Sequence, residues 1–361
     1  MTKIIMVTDA ISIRGDSINL ENYATILRKY YGIESIIAYN PSNLSNSSQR
    51  IREIQGNEIR VETYFSESEL VSISRNFDAT HGYFAADGRY FPRWIPGIKH
   101  LNHAVFRFFE PYGDKYAYVS EWLHKYANRK RISRTGSELE NVYAISDSPY
   151  RVNKEMKTGW VPHTVLPKFE SGSEFRKKYN ISNDVFLVGR IGGFKTFSDP
   201  EAKKAICELL ESNKDIIFCF ANTEKFVHHK NAIFLEEVDE LGKWQFYDAC
   251  NLLLNCRISG ESFGFTIVEP LMINKPVLAP SILRNRLMDQ NQISILKYQG
   301  LLYHSRMHLK YLILNYKKHH YSSEVYNSKR FSKLVEQYNG ESVAERFVEF
   351  FLDSQVPKLP L

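Results

Sequence analysis

Cysteine, long apolar runs and excess charge are all scarce in this sequence. Only 4 of its 361 residues are cysteine, and they lie in apolar segments without metal-ligand spacing, which indicates reduced core thiols of a cytosolic protein. No stretch approaches the roughly 18 consecutive apolar residues of a membrane-spanning helix. The short apolar run near the start predicts a buried strand rather than a signal peptide. We therefore expect a cytoplasmic protein, and the basic run Arg129–Arg131 with Arg134 and the aromatic loop Tyr90–Trp94 leave peripheral contact with a membrane open.

The net charge of the chain limits the kinds of ligand and macromolecule that it is expected to bind. The chain has 47 Lys and Arg against 41 Asp and Glu, a formal net charge of +6. That excess is mild and fits a protein that handles anionic small molecules, so we predict no nucleic-acid partner. No Gly-x-Gly occurs anywhere, which disfavours a dinucleotide-dependent oxidoreductase.

Short β-rich runs alternate with helical patterns along the chain, which predicts α/β layers and mostly parallel sheets. Strands are predicted at Lys3–Thr8, Ile33–Tyr39, Ala79–Tyr83, Ile98–Ala104, Ala117–Val119, Val142–Ile145, Val185–Ile191, Ile216–Ala221, Ala232–Val238, Asn251–Cys256 and Pro276–Ala279. The polar segment Pro41–Arg50 is predicted to be a loop, and the polar stretch Pro162–Ser173 is the predicted linker between two domains.

The stretch SGESFGFTIVEP carries the strongest signal for a binding site. Glu261 and Glu269 are eight residues apart, just over two helical turns, so both lie on roughly the same side of a helix. Between them, the backbone N–H groups of Gly264, Phe265 and Thr266 open that helix and can bind a phosphate. A diphosphate flanked by carboxylates indicates a ligand with hydroxyl-rich groups at both ends, such as a nucleotide sugar. The alternative is that Glu261 caps the helix and Glu269 is solvated.

A second signal is GRIGGFK, at the end of a predicted strand. Ligands of open α/β sheets bind beyond the carboxyl ends of the strands. Arg190 supplies a bidentate fork and Lys195 a point charge, and both suit a pyrophosphate. Alone the motif is weak, because cations after a strand are usually solvated.

Together the two stretches resemble the retaining nucleotide-sugar glycosyltransferases of the two-Rossmann (GT-B) fold, in particular glycosyltransferase family 4. That family has a Gly-Arg…Lys element and an E-x7-E element followed by a Gly/Asn-Lys-Pro-Val strand entry, here Asn274–Val277. Weaker similarities to the family occur at His103–Phe106, Val119–Trp122, Trp160–His163 and Gly300–Leu302.

The resemblance implies an α/β protein with two tandem Rossmann-like domains and a cleft between them. Residues 1–163 would form the acceptor-side domain and residues 164–341 the nucleotide-sugar domain. The C-terminal helix, within 342–361, would pack back on the first domain. No Asp-x-Asp occurs, so we expect no metal, since cationic side chains and a helix N-terminus can stabilise the diphosphate instead.

The resemblance also implies a role for each candidate residue. Glu261, which would bind the transferred sugar, and His103, which would face the reacting centre, are the catalytic candidates. The other assignments are the diphosphate for Arg190, Lys195, Gly264, Phe265 and Thr266, the ribose for Glu269, the base for Asn222, and an acceptor or phosphate loop for Gly15.

The expected activity is metal-independent transfer, with retention, of a sugar from a UDP- or GDP-linked donor to a glycan, lipid-linked or protein acceptor, as in polysaccharide biosynthesis. No cofactor is expected, because the nucleotide sugar is a substrate. Two alternatives stay open. A nucleotide-sugar epimerase shares the two-Rossmann shape, and a non-catalytic nucleotide-sugar-binding subunit is favoured by the first loop, where only Gly15 stands in place of the family's several glycines.

Overall fold

The computed structural model describes residues 2–12, 15–90, 93–131, 149–236, 238–281, 289–297, 299, 301–319 and 331–360. The chain divides into two compact units. Unit 1 comprises Met1–Leu166 with Gln337–Leu361, and unit 2 comprises Pro167–Glu336. Within the described ranges, no helix combines the length and the apolar composition needed to cross a lipid bilayer.

Unit 1 is built on a seven-stranded parallel sheet with the order β3-β2-β1-β4-β5-β6-β7. Its strands are β1 (Lys3–Thr8), β2 (Glu34–Tyr39), β3 (Arg60–Thr63), β4 (His81–Ala86), β5 (Lys99–Ala104), β6 (Lys115–Tyr118) and β7 (Gly159–Trp160). The described helices are α1 (Gly15–Tyr31), α2 (Ser48–Gly56), α3 (Glu67–Asn76), α4 (Glu121–Lys130) and the C-terminal helix (Gly340–Phe351).

Local sequence explains where these helices begin and end. The side chain of Ser47 accepts a hydrogen bond from the Arg50 backbone N–H and caps α2, and Ser120 caps α4 in the same way. Gly32 has a positive φ of 63° directly after α1, a conformation that glycine adopts without strain. In the core, Phe347 of the C-terminal helix packs on Tyr23 of α1, with ring centroids 5.1 Å apart.

Unit 2 repeats the pattern with six parallel strands in the order β10-β9-β8-β11-β13-β15. These strands are β8 (Phe186–Ile191), β9 (Ile216–Ala221), β10 (Ala232–Leu235), β11 (Leu252–Leu254), β13 (Val277–Pro280) and β15 (Leu302–Tyr303). A separate two-stranded pair joins β12 (Gly260–Glu261) and β14 (Asp289–Gln290). The described helices are α5 (Gly172–Lys178), α6 (Pro200–Ser212), α7 (Glu240–Ala249), α8 (Phe265–Met272), α9 (Asn291–Leu296), α10 (Arg306–Lys318) and α11 (Ser332–Val335).

The predicted α/β class and the two parallel sheets are confirmed, and β1 has the predicted bounds. The loop prediction for residues 41–50 is wrong at its end, because α2 begins at Ser48. Strand β3 and helix α3 were not predicted from the sequence. The strand predicted at Val142–Ile145 lies outside the described residues. In both units the first strand lies in the middle of the sheet, which is the topology that places ligands beyond the strand ends.

Candidate functional site

The candidate site lies at the carboxyl-terminal edge of the unit 2 sheet, around β8. This strand pairs with β9 on one side, where Arg190 is opposite Phe220, and with β11 on the other, where Gly189 is opposite Leu253. The loops that follow β8, β9 and β11 therefore leave the same edge of the sheet. The strand order changes direction at β8, and doubly wound folds bind ligands at such a switch point.

Arg190, near the end of β8, ties two of these loops together. Its Nη1 donates to the backbone oxygen of Asn222 at 3.1 Å and to Thr223 Oγ1 at 2.6 Å. Its Nη2 donates to Thr196 Oγ1 at 2.5 Å and to the backbone oxygen of Gly193 at 3.4 Å. Arg190 is 3% exposed, yet all four of these acceptors are neutral. The structure therefore holds a buried guanidinium that no carboxylate of the described residues touches.

Lys195 is the second cation in the loop after β8, and its side chain is exposed to solvent. It lies in the short 3-10 turn Phe194–Thr196. Gly192 approaches Arg190 so closely that a Cβ built on it would lie 2.6 Å from Nη2. The glycine is thus required for the position of the guanidinium.

Glu261, in β12 after the β11 loop, has both carboxylate oxygens engaged. Oε1 accepts from Asn255 Nδ2 at 2.9 Å, and Oε2 accepts from Arg257 Nη1 at 3.1 Å. The backbone N–H of Glu261 donates to Gln292 Oε1 at 3.0 Å. The carboxylate is therefore fixed in orientation.

Electrostatics connects Glu261 with Arg190. Burial lowers the pKa of the Arg190 guanidinium, and the fields of Cys256 and of the Glu261 carboxylate act against that shift. The two sequence motifs, separated by about seventy positions in the chain, therefore meet within one electrostatic environment.

Helix α8 begins beside Glu261. Gly264 precedes the helix with a φ of 92°, and its backbone oxygen accepts from the N–H groups of Ile267 and Val268 at 2.9 and 3.0 Å. Asn255 Nδ2 also donates to Thr266 Oγ1 at 3.0 Å. The first turn of α8, with Phe265, is thus joined to Glu261 through one amide side chain, and a helix start of this kind favours an anion.

Glu269, about one turn along α8, is 3% exposed. Its Oε1 accepts from Lys243 Nζ at 2.5 Å and its Oε2 from the Tyr247 hydroxyl at 2.9 Å. Burial raises the pKa of Glu269, and the Lys243 ammonium works against that rise. The alternative of a solvated face residue is wrong for this glutamate.

Asn222, the base-binding candidate, follows β9 with a φ of 50°. Its backbone N–H donates to the oxygen of Glu236 at 3.0 Å, and its own backbone oxygen accepts from Arg190. Its side-chain Oδ1 is buried and has no hydrogen-bond partner in the described part of the chain. Such an orphaned acceptor is suited to an N–H donor from a ligand.

The structure places His103 in the core of unit 1, where it is 0% exposed. Nδ1 lies 2.7 Å from the Tyr83 hydroxyl, and Nε2 lies 2.8 Å from the backbone oxygen of Val161. Burial lowers its pKa to about 4. A histidine with no exposed surface and both ring nitrogens engaged is typical of a core residue that supports the fold, and its catalytic role stays a prediction. Gly15, the other unit 1 candidate, is the first residue of α1.

The contacts that Asn255, Arg257, Lys243 and Gln292 make with the two glutamates were not predicted from the sequence. The arginine could have been found from its position four residues before Glu261, a spacing at which charged side chains often meet. The pairing of Asn255 with Glu261 depends on the turn between β11 and β12, and Gln292 comes from α9, thirty-one positions away from Glu261. Neither contact follows from local spacing.

Comparison with known proteins identifies the fold. No family model matches the chain, and no curated protein matches it. Among solved structures, HepE of Anabaena in complex with UDP-glucose superposes with a TM-score of 0.67 at 12% identity, over 98% of this chain and 100% of that one. A glycosyltransferase from Rickettsia africae ESF-5 gives 0.66 at 12% identity, over 98% of each chain. Sucrose-phosphate synthase from Thermosynechococcus elongatus gives a TM-score of 0.65 at 11% identity, over 98% of this chain and 99% of that one.

The fold is that of GT-B glycosyltransferases. Membership of glycosyltransferase family 4 stays a prediction.

Proposed function

We propose that the protein is a retaining glycosyltransferase that moves a sugar from a nucleoside-diphosphate donor to a hydroxyl acceptor without a metal ion. The single observation that carries this proposal is the charge of Arg190. A buried cation with only neutral partners is costly unless an anion compensates it. A diphosphate with one negative charge on each phosphate, contacted by the exposed Lys195 and lying within the field of the buried Arg190, supplies that compensation.

Glu261 supports the sugar half of the proposal. Its carboxylate has acceptor capacity for about four hydrogen bonds, and Asn255 and Arg257 use two. The remaining capacity suits hydroxyl donors of the transferred sugar. The fold similarity adds support, because one of the similar structures, HepE, is described in complex with UDP-glucose.

The proposed chemistry follows from these charges. The bond between the anomeric carbon and the diphosphate oxygen breaks through an oxocarbenium-like transition state. Arg190, Lys195 and the first turn of α8 stabilise the charge that develops on the departing diphosphate. The acceptor oxygen attacks the same face of the sugar, and its proton passes to the diphosphate oxygen that has just left. Glu261 orients the sugar through its hydroxyls.

The nucleoside would extend away from the anomeric carbon and the diphosphate. Glu269 would accept hydrogen bonds from the ribose, and Asn222 would contact the base from the loop after β9. In this assignment His103 has no part in the chemistry and only supports the fold of unit 1.

A ligand panel tests the proposal first. Purified protein is heated with UDP, GDP, ADP and CMP and with their sugar conjugates, because a ligand that binds only the native state raises its melting temperature. We expect one nucleoside diphosphate and its sugar conjugate to raise it. If no member of the panel stabilises the protein, the proposed donor class is wrong.

A turnover assay in excess EDTA then separates the reaction classes. We expect release of the nucleoside diphosphate with acceptor present and full activity in EDTA. Loss of activity that Mg²⁺ or Mn²⁺ restores would contradict the metal-independent mechanism. Formation of an isomeric donor without acceptor would indicate an epimerase, and binding without release of nucleotide would indicate a non-catalytic subunit.

A further inference from the structure

A cluster of charged side chains joins α7 to Glu269 of α8. Asp239 caps α7 by accepting from the Gly242 backbone N–H at 2.7 Å. From that start, Glu240, Lys243 and Tyr247 fall at positions i, i+3 and i+7 and therefore on one face of the helix. We call these three residues together with Glu269 of α8 the Lys243 cluster.

The ion pairs of the Lys243 cluster converge on the lysine, and a further hydrogen bond reaches Glu269 from Tyr247. Lys243 Nζ lies 2.5 Å from Glu269 Oε1 and 2.9 Å from Glu240 Oε2. The Tyr247 hydroxyl donates to Glu269 Oε2 at 2.9 Å, and Trp244 Nε1 donates to Glu240 Oε1 at 2.8 Å. Lys243 itself is only 9% exposed. The ammonium is therefore the one positive charge between two carboxylates.

We propose that Lys243 is a positioning residue that holds the carboxylate of Glu269 ionised and oriented toward the ribose of the donor. This inference rests on the proposed function, because it assigns the means by which the ribose contact is prepared. A carboxylate so buried would otherwise be costly in its charged form.

The charge of the cluster indicates which ligand group it can meet. Two carboxylates and one ammonium leave a net negative charge, which repels a phosphate and favours hydroxyl donors. Lys243 and Tyr247 use two of the roughly four acceptor sites of Glu269. Two remain, which equals the number of hydroxyls on the ribose of a ribonucleotide.

The titratable groups that shift the pKa of Glu269 are all members of the Lys243 cluster. Burial raises the pKa of Glu269, while Lys243 lowers it and Glu240 raises it. Burial lowers the pKa of Lys243, but the fields of Glu269 and Glu240 outweigh this and raise it. Helix α11 also packs against α8 and contributes Lys333, which is exposed. The ammonium is thus kept charged by the carboxylates that it orients.

The test compares two ligands that differ only in the groups Glu269 would bind. Calorimetry measures the affinity of UDP and of its 2′,3′-dideoxy analogue for the wild type, Lys243→Met and Lys243→Arg. We expect the wild type to prefer UDP by about tenfold or more, since hydrogen bonds to a charged group are involved. Lys243→Met should lose most of this preference, and Lys243→Arg should restore part of it.

The preference is a ratio measured on one sample, so general destabilisation of a variant does not mimic its loss. Lys204→Met is the matched control, because Lys204 forms an exposed pair with Glu201 at the same i, i+3 spacing. It should keep the full preference for UDP.

Three contrary results have distinct meanings. If Lys243→Met keeps the wild-type preference, the positioning role is wrong while the proposed function stands. If the wild type itself shows no preference, Glu269 does not contact the ribose and the inference falls with that assignment. If the wild type binds none of UDP, GDP and ADP, the proposed function is wrong, and the positioning role with it.

Discussion

The two units share one topology but use buried polar side chains differently. In unit 1, His103 is neutral and packs against Tyr23 and Tyr83 with both ring nitrogens engaged. In unit 2, Arg190 is charged, equally buried, and bonded only to neutral oxygens. A satisfied neutral group completes a core, whereas a buried cation without a counter-ion has a reason to bind an anion.

The two glutamates of unit 2 also differ in the residues that hold their carboxylates. Glu261 is held by neighbours in its own loop, with Asn255 and Arg257 within six positions of it. Glu269 is held from another helix by Lys243 and Tyr247. The first carboxylate shares the surroundings of Arg190, and the second belongs to the packing of two helices. Removing each one should therefore have a different effect.

The largest effect is expected from Arg190→Ala. It removes the buried cation and leaves acceptors in both neighbouring loops unpaired, and each charge-assisted contact is worth about 1.5–3 kcal/mol. We expect kcat/KM for the nucleotide sugar to fall at least about 100-fold. Steady-state kinetics checks this, with Lys195→Ala as the comparison. That variant loses an exposed cation without disturbing the loops and should lose less. Wild-type kinetics in both variants would contradict the diphosphate assignment.

The next largest effects should distinguish Glu269→Ala from Glu261→Ala. A carboxylate that accepts hydroxyl hydrogen bonds contributes on the order of 1.5–3 kcal/mol. Glu269→Ala should therefore weaken the bare nucleoside diphosphate and the sugar nucleotide by about tenfold or more. Glu261→Ala should leave the bare nucleotide nearly unaffected and mainly lower kcat, because sugar contacts that strengthen in the transition state raise kcat.

Calorimetry with both ligands, beside a turnover assay, separates these two outcomes. Equal and small effects of both variants on all three measurements would mean that neither glutamate contacts the donor. The transferase proposal would then rest on Arg190 and Lys195 alone.

His103 should make the stability of the protein depend on pH, and it should have little effect on the activity. Its folded-state pKa is about 4, below the ordinary unfolded value of about 6.5. Between these values the unfolded chain binds a proton that the folded chain does not, so the free energy of unfolding falls as pH drops from 6.5 to 4. The loss is about 3 kcal/mol.

Urea unfolding at several pH values measures this effect. His103→Gln should reduce the pH dependence in that window, to which buried His100 and His163 also contribute, and leave kcat of the folded enzyme close to the wild-type value. His304→Gln, at an exposed position, serves as the control. A kcat that falls at least tenfold in the folded His103→Gln enzyme would support the catalytic role instead.

The fold was largely predictable from sequence because strand patterns and helix caps are local. The burial of His103 could not be predicted, because both faces of a parallel sheet are covered. Its strands therefore show no alternation of apolar and polar residues that would mark a site. The same holds for Lys243, whose i, i+3 pairing with Glu240 is typical of a solvated helix face. Its second carboxylate partner is Glu269, twenty-six positions away. Contacts between distant elements leave no local pattern in the sequence.

The smallest effect should come from two adjacent glycines beside Arg190. A Cβ on Gly192 would lie 2.6 Å from Arg190 Nη2 and 3.0 Å from Thr196 Oγ1, whereas a Cβ on Gly193 would meet nothing closer than 3.3 Å. Because the nearest atom to Gly192 is the end of a flexible side chain, Gly192→Ala should displace the guanidinium without unfolding the protein. We expect donor affinity to fall several-fold, by roughly 1 kcal/mol, and Gly193→Ala to have a clearly smaller effect. Calorimetry with the nucleoside diphosphate measures both. Equal losses in the two variants would mean that the loop backbone, rather than the position of Arg190, determines donor affinity.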